Sequence, residues 1–395
     1  MQILILVIIA YLFLPVIGEL FLITTDGYVV AGDITWGLFY SNLVFALIVV
    51  VPLLIVYLKK KKLSKFSFQS SSKDRRTLKR IAILISIFCI AMFYFSGYDY
   101  LVRGIDRGQI RVNQGLFGFL SKWVMIYAIP LLLFITTIIM IVNKNRSFIY
   151  FYIYGIALLA AFFTGYKFVV IFCFIPVMMV IFYNKNILKT SLIVVPIVLA
   201  VLSVTTMFVM GFKTLNEGFY FILHRMTVMS SFGTIGVWNN FPNGASFSEI
   251  VKLTYSVFGN RINEFVFGIE FNSLDVLDVS LSRKITYMVY PSWEKALSGT
   301  SNVTVTSFGE AVYIFGKYNW VYALISSLIF CTVIGKIMDY FTKGDIIKLS
   351  LFVIYCLAVL LSWLNSSSIF TLISLPIVVY MFMSYIFLLL LLKSK

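Results

Sequence analysis

Long apolar runs recur along almost the whole chain, and they constrain its fold more than any other feature. Most of them are about 17 to 23 residues long, and a helix needs roughly 20 residues to cross the hydrocarbon core of a bilayer. Because 61% of the residues are hydrophobic and only 12% are charged, too little polar surface remains to cover a water-soluble core. The runs are also too continuous for the alternating strands of a membrane barrel. The sequence therefore predicts an all-α, polytopic integral membrane protein.

Ten segments of the chain fit membrane-spanning helices. In chain order they are 2–24, 35–58, 81–97, 123–142, 147–163, 168–183, 190–211, 320–338, 349–363 and 370–392. No basic residue precedes the first segment and no clear cleavage site follows it, so we expect a retained span rather than a signal peptide. The chain then divides into a bundle of seven spans (1–211), a large loop (212–319) and a bundle of three spans (320–395).

The basic residues indicate how the spans are oriented, because cytoplasmic loops carry an excess of Lys and Arg. If the N-terminus lies inside, the inner segments hold 19 basic and three acidic residues, while 13 of each lie outside or at outer span ends. Both termini are therefore expected in the cytoplasm and the large loop on the outer side. The formal charge of +16 lies in loops beside the spans. Topology and contact with anionic lipids explain it, so no nucleic-acid partner is expected.

The large loop holds eight of the chain's sixteen acidic residues and its only histidine, His224. At its start, polar residues recur at steps of three and four, which predicts an amphipathic helix over 211–230 at the membrane surface. The stretch 239–246 is rich in turn-forming residues. All four cysteines lie in apolar segments, and no second histidine or carboxylate pair at ligand spacing is present, so neither a disulfide nor a metal site is expected.

Basic residues on the expected outer side are the main candidates for a binding site. Arg103, Arg107 and Arg111 would share one face of a helix, and the planar guanidinium group matches the oxygens of a phosphate. An imidazole titrates near neutral pH, so His224 is a candidate general base. The alternative is that these groups are solvated surface charges paired with the neighbouring acidic residues. Further cations on the same side are Lys167, Arg225, Arg261 and Arg283.

Several local patterns resemble one known family. The stretch 307–325 carries Glu310, Tyr313 and Gly316 just before a span. Thr164, Gly165 and Lys167 stand at the outer end of a middle span, where that family often has a glycine and an arginine. Two outer arginines are each followed eleven positions later by glycine, as Arg107 with Gly118 and Arg225 with Gly236. Together with about ten spans and one dominant late outer loop, this pattern resembles the Wzy-type O-antigen or oligosaccharide repeat-unit polymerases of bacterial envelopes.

The resemblance implies a membrane-embedded glycosyltransferase of the bacterial inner membrane that needs no cofactor. It would transfer the growing glycan from undecaprenyl diphosphate to the non-reducing end of a new lipid-linked repeat unit on the periplasmic face. A flippase and a chain-length regulator are candidate partners. His224 or Glu310 would deprotonate the acceptor hydroxyl, and the outer cations would stabilise the departing diphosphate.

Two other functions share part of this pattern. An O-antigen ligase would use the same chemistry with a different acceptor, which the sequence does not reveal. A lipid-linked oligosaccharide flippase would also be polytopic and basic, but would be expected to place charged residues in a central cavity.

Overall fold

The computed structural model describes residues 1–25, 27, 31–63, 68, 74–105, 115–144, 147–164, 167–183, 185–270, 273–290, 303–365 and 368–393. Across these residues every regular element is helical, so the predicted all-α class is confirmed. The helices before the large loop are α1 (Gln2–Thr24), α2 (Trp36–Leu63), α3 (Asp74–Met92), α4 (Tyr98–Leu101), α5 (Gly115–Trp123), α6 (Ile129–Asn143), α7 (Phe148–Phe163), α8 (Lys167–Ile181) and α9 (Ile187–Met210).

The large loop is itself helical over much of its described length. Its helices are α10 (Leu215–Met226), α11 (Val228–Asn240), α12 (Phe247–Thr254), α13 (Asn260–Phe267), α14 (Val276–Val279), α15 (Leu281–Val289) and α16 (Ser307–Phe315). The chain ends with α17 (Asn319–Lys343), α18 (Ile346–Tyr355), α19 (Leu361–Asn365) and α20 (Leu375–Lys393). Single π-helical turns at Phe93–Gly97, Val124–Ala128 and Cys356–Leu360 join α3 to α4, α5 to α6 and α18 to α19.

Seven stretches of described helix are long and apolar enough to cross a membrane. Three shorter apolar helices coincide with the remaining predicted spans, at Phe148–Phe163, Phe172–Ile181 and Lys189–Val204. The protein is therefore a polytopic, membrane-embedded helical protein. The total of ten spans stays a prediction, because these three helices are shorter than a typical span.

Helix α6 lies at the centre of the bundle. Its residues from Ile129 to Ile139 are all buried, and it packs against α3, α7, α8 and α18. A helix that is apolar on every side is normally enclosed by others rather than exposed on one face. The core of the membrane part is thus built around α6.

One end of the bundle, here called the basic end, gathers segments that the sequence predicts to be cytoplasmic. The Lys60 ammonium group lies 2.5 Å from a carboxylate oxygen of Asp339, and Lys61 donates a hydrogen bond of 3.3 Å to the Lys185 carbonyl. The amino group of Met1 donates to a backbone carbonyl of α8 at 3.3 Å. These segments therefore share one end, which agrees with the predicted grouping. Which side of a membrane the basic end faces stays a prediction.

At the opposite end, here called the loop end, α10 and α11 form a hairpin that dips beside α1. After the turn at 211–214, α10 runs back along α9, where Gly218 lies against the Ser203 carbonyl. The tip of the hairpin, Thr227, lies so close to Gly18 of α1 that a Cβ atom there would stand 2.4 Å from the Thr227 carbonyl oxygen. Gly18 precedes the end of α1 by six residues, so the tip lies about 9 Å below that end at 1.5 Å per residue.

The hairpin corrects the predicted amphipathic helix over 211–230. Its polar stripe is exposed as predicted at Lys213, Glu217, Tyr220 and His224, but the helix ends at Met226, where the backbone breaks at Thr227 with φ −101° and ψ −73°. The predicted stripe member Ser231 is instead buried in α11. The sequence pattern could not show this break, because it occurs where Thr227 packs against Gly18, more than 200 positions away in the sequence.

Helix α11 is the central element of the loop end, packed on α1, α15 and α16. Small residues allow this close packing. The Gly233 N–H donates a hydrogen bond of 3.1 Å to the Thr304 carbonyl, and the hydroxyl groups of Thr234 and Thr306 are hydrogen-bonded at 2.8 Å. The segment that enters α16 is therefore fixed directly onto α11.

We expect Gly18→Ala to disturb the hairpin tip, because the added methyl group overlaps the Thr227 backbone. Overpacking of this kind costs about 1–3 kcal/mol. A lower thermal unfolding temperature in detergent would be the expected result. Gly155→Ala is the matched control, since nothing lies within 4 Å of a Cβ at that helical glycine. Equal effects of the two substitutions would contradict the described packing.

Candidate functional site

His224 and Arg225 occupy the last turn of α10, directly before the tip of the hairpin. Both side chains are exposed, and neither makes a hydrogen bond or ion pair with another described residue. Cationic groups are favourable at the C-terminal end of a helix because of its dipole. The sequence forms α10 here because the Thr214 hydroxyl accepts a hydrogen bond of 3.3 Å from the Glu217 N–H and so caps its start.

The depth of the hairpin places these two side chains close to the level at which α1 ends. The 23 residues of α1 span about 34 Å, close to the roughly 30 Å of a hydrocarbon core. His224 lies three residues above a tip that is about 9 Å below the end of α1, so it lies within about 5 Å of the level of that end. An imidazole and a guanidinium group are thus exposed side by side near the loop end of a helix that is long and apolar enough to cross a membrane.

Glu310, the other candidate base, is buried in a network of donors at the start of α16. Ser368 donates its hydroxyl hydrogen to one carboxylate oxygen at 2.5 Å, and the backbone N–H of Ile369 donates to the same oxygen at 2.9 Å. The other oxygen accepts hydrogen bonds from the Tyr322 hydroxyl and from the Trp363 indole N–H at 3.1 Å. Glu310 therefore joins α16 and α17 to α19 and to the turn that follows it.

This enclosure distinguishes the two candidate bases. The Glu310 side chain is surrounded by donors and has 2% of its surface exposed, whereas His224 faces outward. A general base must come within about 3 Å of the hydroxyl that it deprotonates. His224 is better placed for that role, and Glu310 is placed to hold the loop end together.

The predicted cations are found in different surroundings. Arg103 is exposed, with an ion pair of 3.1 Å to Asp99 and its guanidinium group over the Tyr98 ring. Arg283 is buried in α15, and this burial lowers the pKa of its guanidinium group. Lys167 and Arg261 lie at the starts of α8 and α13, and their side chains, like all of Arg107 and Arg111, lie outside the described part. Arg225 remains the cation exposed beside the hairpin tip.

Sequence reasoning missed a second charged cluster, centred on Lys284 of α15. Its ammonium group lies 2.6 Å from a carboxylate oxygen of Glu249 and donates a hydrogen bond of 3.2 Å to the Tyr313 hydroxyl. It also lies over the rings of Phe241 and Tyr313, 5.6 Å from each centroid. The local signal near it is the capping pair Ser246 and Glu249, which predicts the start of α12 but not the cluster. The partners are far apart along the chain, so no sequence spacing predicts the cluster.

The Lys284–Glu249 pair makes the folding stability depend on pH in the acidic range. The hydrogen bond from Lys284, together with those from Ser246, lowers the pKa of Glu249 to about 2. Burial opposes the charge on Lys284, but hydrogen bonds to Glu249 and Tyr313 raise the pKa of that amine overall. Because the folded pKa of Glu249 is depressed, its contribution is complete above the ordinary value of 4.5 and is lost as the pH falls toward 2.

We therefore expect the unfolding temperature to fall between pH 5 and pH 3, and to fall less in Lys284→Met. The pair is partly exposed, so its coupling energy should be about 1 kcal/mol or less. Lys252→Met is the control, because the Lys252–Asp278 pair is more exposed. An acid dependence that is unchanged in Lys284→Met would remove Glu249 as its source.

Within the described residues, no group of three or more His, Cys, Asp or Glu side chains could hold a metal ion. No family model, curated protein or solved structure matches this chain.

Proposed function

We propose that this protein is a Wzy-type polymerase of lipid-linked oligosaccharide repeat units. It moves the growing glycan from undecaprenyl diphosphate to the non-reducing end of a new lipid-linked unit. In this proposal the loop end faces the periplasm of a bacterial inner membrane, and both termini lie in the cytoplasm with the basic end.

The position of His224 and Arg225 is the observation that carries the proposal. They are neighbours on α10, both exposed, and the hairpin tip beside them lies against Gly18 below the end of α1. A substrate on undecaprenyl diphosphate has its lipid tail in the hydrocarbon core, so its diphosphate lies at the headgroup level. A cation and a base at that depth reach the diphosphate and the bond to the first sugar without lifting the lipid from the bilayer.

The reaction needs two groups of this kind. The acceptor hydroxyl oxygen attacks the anomeric carbon of the donor glycan and forms the new glycosidic bond. The bond from that carbon to the diphosphate oxygen breaks, and its electron pair stays on the departing diphosphate. In the proposal Arg225 stabilises that charge with bidentate hydrogen bonds, assisted by Arg103, Arg107, Arg111 and Lys167, while His224 accepts the proton of the hydroxyl.

The remaining predicted site residues act less directly in this scheme. Glu310 is proposed as a positioning residue, because its network fixes α16, on which α11 packs. Arg283 of α15 is buried, so it is not placed in direct contact with the substrate in this scheme. Arg261 is still proposed to bind phosphate.

The glycans of cells with and without this chain test the proposal. If it is a polymerase, single repeat units still reach the surface in its absence and the ladder of longer chains disappears. Long polymer that accumulates on the carrier lipid would indicate a ligase. Failure of any unit to reach the outer face would indicate a flippase. Either of these last two results would overturn the assignment.

A further inference from the structure

Helix α13 carries an exposed apolar face in the middle of the large loop. Phe265 is 92% exposed and Val266 is 61% exposed. The neighbouring aromatic rings form a cluster, with Phe267 and Phe258 5.1 Å apart and Phe267 and Tyr255 5.0 Å apart. A monomeric protein in water rarely leaves such a contiguous apolar patch uncovered.

This face lies beside the loop end of the last membrane helix. The turn Tyr255–Val257 packs against Ile369–Ile373, which directly precedes α20. Gly259, at the start of α13, lies so close to Pro376 that a Cβ atom would stand 2.8 Å from its ring. Pro376 is the second residue of α20, so α13 begins at the level where that helix begins.

Exposed apolar side chains also lie along α20. Ile373 is 70% exposed just before the helix, and Val378 and Phe382 are exposed along it. In a membrane-embedded protein these side chains face lipid. Since the start of α13 lies against the start of α20, its exposed apolar side chains lie close to the loop end of this apolar surface.

We propose that the segment from Tyr255 to Phe267 is an interfacial membrane anchor. It binds lipid at the boundary between the headgroups and the acyl chains. Short amphipathic helices bind this boundary by burying an apolar face, and aromatic residues are enriched there. The polar residues Asn263 and Glu264 of α13 are compatible with a location at this boundary. Asn263 is turned inward and donates a hydrogen bond of 3.0 Å to the Tyr255 carbonyl, while Glu264 is exposed beside Phe265 at headgroup level. This anchor is independent of the proposed enzymatic activity.

The test uses the full-length protein in vesicles of neutral phosphatidylcholine. Phe265→Cys is labelled with an environment-sensitive fluorophore and compared with Lys252→Cys, whose position carries an exposed ion pair. The unsubstituted chain, labelled in the same way, gives the background from Cys89, Cys173, Cys331 and Cys356. Replacing a side chain that is 92% exposed leaves the packing intact, and gel filtration of the variant verifies this.

The proposal predicts that spin-labelled lipid quenches the fluorophore at position 265 several-fold more than at position 252, and that aqueous iodide quenches it several-fold less. Equal quenching by iodide at both positions would show that Phe265 faces water and overturn the proposal. Protection from both quenchers that varies with the protein-to-lipid ratio would also overturn it, because a second copy of the chain would then cover the face.

Discussion

Arg225→Ala is expected to slow glycan chain extension by roughly two to three powers of ten, or about 3–4 kcal/mol, the usual loss when one preorganised donor to a developing charge is removed. The side chain is exposed at the end of α10, so the protein should still insert and accumulate. Arg225→Lys should have intermediate activity, because an ammonium group keeps the charge but not the bidentate geometry. The readout is the length distribution of lipid-linked and surface glycans, with the amount of protein measured in parallel.

Lys317→Ala provides the matched control. Lys317 is another exposed cation of the loop end, with its ammonium group over the Tyr318 ring, and it has no role in the proposed site. Its removal should leave the glycan ladder unchanged. A normal ladder in Arg225→Ala as well, at equal protein abundance, would contradict the diphosphate-binding role of Arg225.

Glu310→Ala is expected to destabilise the protein by about 1–3 kcal/mol for each buried donor that it leaves without an acceptor, because it removes the common acceptor of a buried hydrogen-bond network. The donors from Tyr322, Trp363, Ser368 and Ile369 would lose that partner together. Tyr322→Phe removes one donor and should cost about 0.5–1.5 kcal/mol. Unfolding temperature in detergent and abundance in the membrane measure both effects.

Glu270→Ala is the control for the loss of a carboxylate, because Glu270 is exposed in the same loop and should change stability by about 0.5 kcal/mol or less. If Glu310→Ala keeps wild-type stability but loses chain extension, Glu310 acts in the reaction rather than in positioning. The assignment of His224 as the better-placed base would then be wrong.

The membrane architecture was predictable because hydrophobicity and span length are local properties of the chain. The predicted first span, 2–24, coincides with α1, and the other long apolar runs fall on described helices. The connection between α16 and α17 was harder to predict from the sequence. The large loop's boundary at 319 falls within a continuous apolar stretch, Ser307–Lys343, in which Gly316 with φ 54° turns the chain between α16 and α17.

The candidate site was predictable only as a set of residue types. The polar stripe identified His224 and its neighbourhood, because polar residues recur with helical spacing even in a short exposed helix. The hairpin was not predictable, since it depends on contacts of Gly18 with Thr227 and of Gly218 with Ser203, which are distant in sequence. Glu310 illustrates the same limit. The family resemblance suggested that it is a base, but donors from three later segments enclose it.

Polymerase activity can be measured with purified full-length protein in vesicles that contain one lipid-linked repeat unit. A polymerase should form a ladder of longer lipid-linked glycans and release one undecaprenyl diphosphate for each linkage formed, without added nucleotide sugar or metal. The same vesicles with Arg225→Ala should give little or no ladder. If the wild-type protein forms no linkage and releases no carrier diphosphate, although it is folded and inserted, the chain is not a polymerase.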